Sequence, residues 1–141
     1  EWTGLNAWTN NVTKGQFDSF SLQFILGSIL SPVAWLLGVP SGDIMLVGQL
    51  LGEKTILNEF YAYVSLTEMR NEGLFESKRS VVLATYMLCG FANISSIGIQ
   101  IGGIGVLAPS RRKELSELGV KALIAGTMAS LYTAGIIGLL L

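Results

Sequence analysis

Histidine is absent from the 141-residue chain, and cysteine occurs once, at Cys89. The first absence removes the commonest metal ligand and the commonest general base. The second excludes an intrachain disulfide and any paired-cysteine metal or redox motif, which leaves Cys89 as a small core residue. Charge is scarce too: 13% of residues are charged, against about a quarter in a soluble domain. A net charge of −1 gives no electrostatic basis for holding nucleic acid. Paired carboxylates, a His-Glu-x-x-His zinc motif and a Gly-x-Ser-x-Gly nucleophile turn are all missing. Nothing assembles a nucleophile with a base, so the chain reads as a non-enzyme without cofactor or metal.

What is present is apolar. Half of the residues are hydrophobic and the mean hydropathy is +0.55. A surface facing lipid explains both figures, because a charge at the bilayer centre costs at least ~2.5 kcal/mol. The chain opens Glu-Trp-Thr-Gly without a methionine or a signal peptide, and is read as the C-terminal part of something longer.

Five segments follow a polar lead-in or loop over residues 1–19. Residues 20–39 are apolar and bracketed by Asp18 and Asp43. Their length would just cross the hydrocarbon, yet Pro32, Pro40 and the serines favour a broken or interfacial pair of helices. Residues 44–66 split into two apolar arms around Glu53, Lys54, Asn58 and Glu59. Neither arm can span a bilayer, and the pattern predicts a re-entrant helical hairpin with a polar tip. One soluble amphipathic helix is the alternative, but the 3.6-residue periodicity is poor. Residues 68–79 carry both charge signs and read as a solvated loop.

Between Arg79 and Arg111 no residue is charged. One helix over that run would measure roughly 46 Å, more than a bilayer needs. At its centre stands Phe91-Ala-Asn-Ile-Ser-Ser96. A break there predicts a discontinuous transmembrane helix over residues 80–108, with Gly90 ending the first half and Asn93, Ser95 or Ser96 capping the second. Broken helices of this kind hold substrates and ions in transporters. The plainer alternative is that Asn93 and the serines only tie helices together. Asn93-Ile-Ser95 matches a glycosylation sequon, at a depth no acceptor site occupies. Glu59 is the other costly residue: an intramembrane carboxylate marks a functional site, unless it is simply paired with Lys54. Gly103-x-Gly105-x-x-Ala108 lacks the strand and acidic residue of a dinucleotide site, and Gly98-x-x-x-Gly102 predicts close helix packing.

Residues 122–141 carry no charge and form the terminal transmembrane helix. Ala122, Gly126, Ser130, Ala134 and Gly138 recur every fourth residue, giving one face a neighbouring backbone can approach. Arg111, Arg112, Lys113 and Lys121 before it predict a cytoplasmic start. The fold class expected is thus all-α and integral to the membrane: a re-entrant helical hairpin, a discontinuous helix and a terminal transmembrane helix.

LNEF at residues 57–60, CGFANISSIGI at residues 89–99, the APSRR segment and the small-residue terminal helix together resemble the concentrative nucleoside transporter family. The resemblance covers residues 20–141 and the family's C-terminal third, the second inverted repeat. It implies a homotrimeric, multi-pass symporter of the plasma (inner) membrane that carries a nucleoside with sodium or a proton. It also implies that Glu59, Asn93 and Ser96 bind ribose hydroxyls while Phe91 packs near the sugar and base. The family's first hairpin, with a Gly-Gln-Thr-Glu type tip, contacts the base and helps to hold the coupling ion. Nothing here matches it, so the ion site is expected mainly in the missing first repeat. The competing readings are a gate-type membrane protein with related hairpins that moves another solute or serves structure, a membrane enzyme using Glu59 as base, and a structural subunit. The absence of histidine weighs against the enzyme.

Overall fold

The computed structural model describes residues 3–13 and 15–141; Glu1, Trp2 and Lys14 of the lead-in lie outside the described residues. Seven α-helices occur among the described residues: α1 Thr3–Val12, α2 Leu22–Leu36, α3 Ile44–Ile56, α4 Glu59–Asn71, α5 Lys78–Leu88, α6 Ile94–Leu107 and α7 Arg112–Leu140. A 3-10 turn over Pro109–Arg111 leads into α7, and no strand is found among the described residues.

Helix α1 occupies much of the segment read as a loop. Thr9 returns its hydroxyl to the Leu5 carbonyl, and Thr13, just past the helix, to that of Thr9. Trp8 and Phe17 meet the Phe24 ring edge-on, with centroids 6.2 and 5.9 Å away. Aromatic contacts that a local reading cannot see therefore fix a polar-looking stretch.

Helix α3 is the centre of the fold. Every residue from Leu46 to Lys54 is buried, as in a helix surrounded on all sides. Its closest neighbour is α2. A Cβ on Gly48 would stand 2.6 Å from the Gly27 carbonyl oxygen, and one on Gly27 2.8 Å from that of Met45. This backbone-to-backbone approach explains why α2 runs unbroken through Pro32. An interior proline costs ~3 kcal/mol, but α2 is held against α3 through Leu26, Gly27, Leu30 and Ser31 just before it, and this contact opposes a break. Residues 20–39 therefore contain one helix rather than a broken pair.

The arms of the expected hairpin are two helices joined at Leu57 and Asn58. Asn58 caps α4 by accepting from the Tyr61 N–H at 2.8 Å, which ends the single-helix alternative. Of the four polar residues assigned to the tip, only Asn58 and Glu59 stand there. Glu53 and Lys54 are inside α3, 4% and 0% exposed. The charged segment over residues 68–79 is not free loop either. Asp43, fully buried, accepts from the backbone N–H groups of Glu76 and Ser77. Arg79 donates to the carbonyls of Gly38 and Gly138.

Helix α7 begins well before residue 122, at Arg112. Pro109–Leu140 is the one span among the described residues long and apolar enough to cross a membrane. Of the small-residue stripe, Ser130, Ala134 and Gly138 are buried, as their spacing predicts, and a Cβ on Gly138 would stand 3.1 Å from Leu83. Gly126 is half-buried and Ala122 exposed, so the packed face covers only the second half of the helix. The Gly98 and Gly102 pair behaves otherwise: no atom comes within 4 Å of a Cβ on either. Close approach on α6 occurs at Gly105, where Arg112 Nε donates to the carbonyl at 3.1 Å.

Candidate functional site

The charge-free run breaks where the sequence predicts, between Leu88 and Ile94. Helix α5 ends at Cys89 and Gly90, and Asn93 opens α6. Asn93 has extended backbone angles and its Oδ1 accepts from the Ser96 N–H at 2.8 Å, an N-cap. The same oxygen accepts from Ser96 Oγ at 2.9 Å. Cys89 is exposed at the C-cap of α5. It is not the core residue its small apolar side chain suggested, because the backbone leaves the helix at that point.

The turn between α3 and α4 docks on this break. Asn93 Nδ2 donates to Glu59 Oε2 at 2.9 Å, and Ser95 Oγ donates to the Leu57 carbonyl at 3.3 Å. Glu59 is the first residue of α4 and Asn93 precedes the first residue of α6, so two positive helix ends converge on one carboxylate. Glu59, Asn93 and Ser96 thus form one continuous hydrogen-bonded chain. Each keeps unused capacity: Glu59 its other oxygen, Asn93 one amide hydrogen, Ser96 its acceptor lone pairs. Acceptors alternating with a donor suit a pair of neighbouring hydroxyls.

Phe91 stands beside the chain, 82% exposed. A cleft of about 300 Å³ between α6 and α7 is lined by Phe91, Asn93 and Ser96, with Gln100, Leu118 and Ala122 on its walls. Glu59 is not part of that lining. The structure therefore joins three of the four expected residues by hydrogen bonds and places the fourth on the adjoining cleft.

Lys54 is not the ion partner of Glu59. Its Nζ donates to the Met87 carbonyl at 2.8 Å and to Ser130 Oγ at 2.9 Å. Both contacts escape a sequence reading that places Lys54 at the polar tip of the hairpin. The available signal was a lysine in an apolar arm together with the only polar member of the small-residue stripe. Tyr63 was also missed; its hydroxyl donates to the Thr85 carbonyl at 2.8 Å.

Residues 3–138 match the family described as the Na+ dependent nucleoside transporter C-terminus. An uncharacterized transporter of Bacillus subtilis, YutK, is 41% identical over 98% of this chain and 35% of its own length. The sodium/nucleoside cotransporter 1 of Rattus norvegicus is 42% identical over 95% of this chain and 22% of its own length. Among solved structures, CNTnw in an inward-facing substrate-bound state superposes with a TM-score of 0.82 at 37% identity, covering 98% of this chain and 33% of that one. An all-helical fold with this match belongs to the sodium-dependent nucleoside transporter family, in its C-terminal region. The match begins at residue 3, inside the segment read as a lead-in. The chain spans about a third of the length of the curated relatives first matched, 35% in each case.

Proposed function

We propose that this chain forms the ribose-binding half of a cation-coupled nucleoside symporter. Helices α3 and α4 are its re-entrant hairpin, α5 and α6 its discontinuous transmembrane helix, and α7 its terminal transmembrane helix. The transporter is a multi-pass homotrimer of the plasma (inner) membrane, driven by sodium or protons, with its ion site built mainly by another repeat. The observation that carries the reading is the Glu59–Asn93–Ser96 chain at two converging helix starts. Glu59 accepts from one ribose hydroxyl, Asn93 donates to its neighbour, Ser96 completes the pair, and Phe91 lies along the sugar and base. The sodium/nucleoside cotransporters among the relatives supply the solute class.

Equilibrium binding of radiolabelled uridine to the full-length transporter carrying this sequence tests the assignment. Glu59→Gln removes the charge while keeping the shape. A hydrogen bond to a charged group contributes about 1.5–3 kcal/mol, so uridine affinity should fall roughly tenfold to a hundredfold. Unchanged affinity in Glu59→Gln would remove Glu59 from the site.

A further inference from the structure

The last carbonyls of a helix lack partners within it, and at the end of α5 two of them find partners on α3 and α4. Tyr63 of α4 reaches the Thr85 carbonyl, the Cys89 N–H closes on that of Tyr86, and Lys54 of α3 takes that of Met87. Lys54 is the unusual member. It is fully buried, and the one ion pair among the described residues is Arg111 with Glu114. Its second contact is the Ser130 hydroxyl on α7, which has acceptors of its own on that helix in the Thr127 and Gly126 carbonyls, 2.9 and 3.4 Å away. Two oxygens with lone pairs therefore face the ammonium at the negative end of a helix. Gly90 of the break borders the group: a Cβ there would lie at ordinary contact distance, 3.9 Å from Nζ and 3.7 Å from Ser130 Cβ. Carbonyl and hydroxyl oxygens at a helix C-terminus are also what a monovalent cation in a membrane protein coordinates.

We propose that Lys54 is the resident cation of the helix break, a positioning residue that takes the place of a dissolved ion and locks the hairpin, the break and α7 into one unit. The inference rests on the ribose reading, because the same hairpin and break carry Glu59 and Asn93. With its charge in place, the carbonyl end of α5 is neutralised and the Glu59–Asn93 contact is held a short distance away. Without it, the end of α5 faces an unfilled oxygen cluster and the two helix starts lose their common anchor. This part of the transporter thereby carries its own cation on the chain.

The test is uridine binding to the full-length transporter with Lys54→Met, Lys54→Ala and Ser130→Ala. Lys54→Met, uncharged and of similar volume, should weaken uridine binding at least tenfold. Lys54→Ala should be equally weak and regain most of the loss in millimolar ethylammonium, which fills the vacated volume with a cation. Ser130→Ala keeps the small-residue face and should weaken binding threefold to tenfold, although Ser130 touches no proposed ribose ligand. Wild-type affinity in Lys54→Met or in Ser130→Ala overturns the proposal, as does a folded Lys54→Ala protein that ethylammonium fails to restore. If the unmodified transporter binds no nucleoside, the ribose reading itself fails, a result distinct from all of these.

Discussion

Asn93 does two separate jobs at one position, and substitutions can separate them. Its Oδ1 caps α6 while its amide nitrogen reaches Glu59. Asn93→Ser retains a capping oxygen and loses the amide, so thermal stability should stay near the wild-type value while uridine affinity falls. Asn93→Ala loses both, and its melting transition should show a further cost of about 1 kcal/mol. The ligand can be altered instead: 2′,3′-dideoxyuridine lacks both hydroxyls and should bind roughly tenfold to a hundredfold more weakly than uridine, the equivalent of about 1.5–3 kcal/mol. Equal affinity for the two nucleosides would mean that Glu59 and Asn93 face something else. These residues were legible in the sequence because a carboxylate and an amide are expensive in an apolar run. Lys54 was visible for the same reason, but its partners Met87 and Ser130 are remote in sequence, and no local pattern points to them.

Among elements, the α2–α3 pair shows what sequence patterns convey and what they omit. Pro32, Pro40 and the serines of residues 20–39 favour a break, yet Gly27 and Gly48 bring two backbones together and the helix continues. A proline announces its cost locally, whereas the opposing contact needs both helices. Gly48→Ala should therefore be severe for one methyl group, since its Cβ would lie 2.6 Å from a carbonyl oxygen. Overpacking of this kind costs about 1–3 kcal/mol, to be read as a lowered melting temperature of the purified transporter. Gly98→Ala, in open space on α6, should leave it unchanged. An equal loss at both positions would contradict the packing described. The break between α5 and α6 was foreseen more accurately, because helix length, a capping asparagine and a glycine all mark the same place. The small-residue face of α7 was likewise legible, but not how far the helix extends: its first turns are charged and lie outside the apolar span.

At the scale of the whole molecule, much of the apolar surface has no cover within this chain. Ile99, Leu107 and Leu139 are 72%, 86% and 88% exposed. Lipid, the remainder of the transporter and neighbouring protomers are the surroundings that the proposed assembly supplies. The family was readable from four features, two of which, LNEF and CGFANISSIGI, are the turn between α3 and α4 and the break between α5 and α6 themselves. The coupling ion was not, because a monovalent cation is held by carbonyl and hydroxyl oxygens, which leave no mark in a local sequence pattern. The central claim is that the hairpin and break hold a nucleoside that an ion gradient moves. Its most direct test is radiolabelled uridine uptake by proteoliposomes containing the full-length transporter, under an inward sodium or proton gradient, beside Glu59→Gln. The account predicts saturable accumulation that one of the two gradients drives and the substitution abolishes. A folded, inserted transporter that accumulates no nucleoside under either gradient would contradict it.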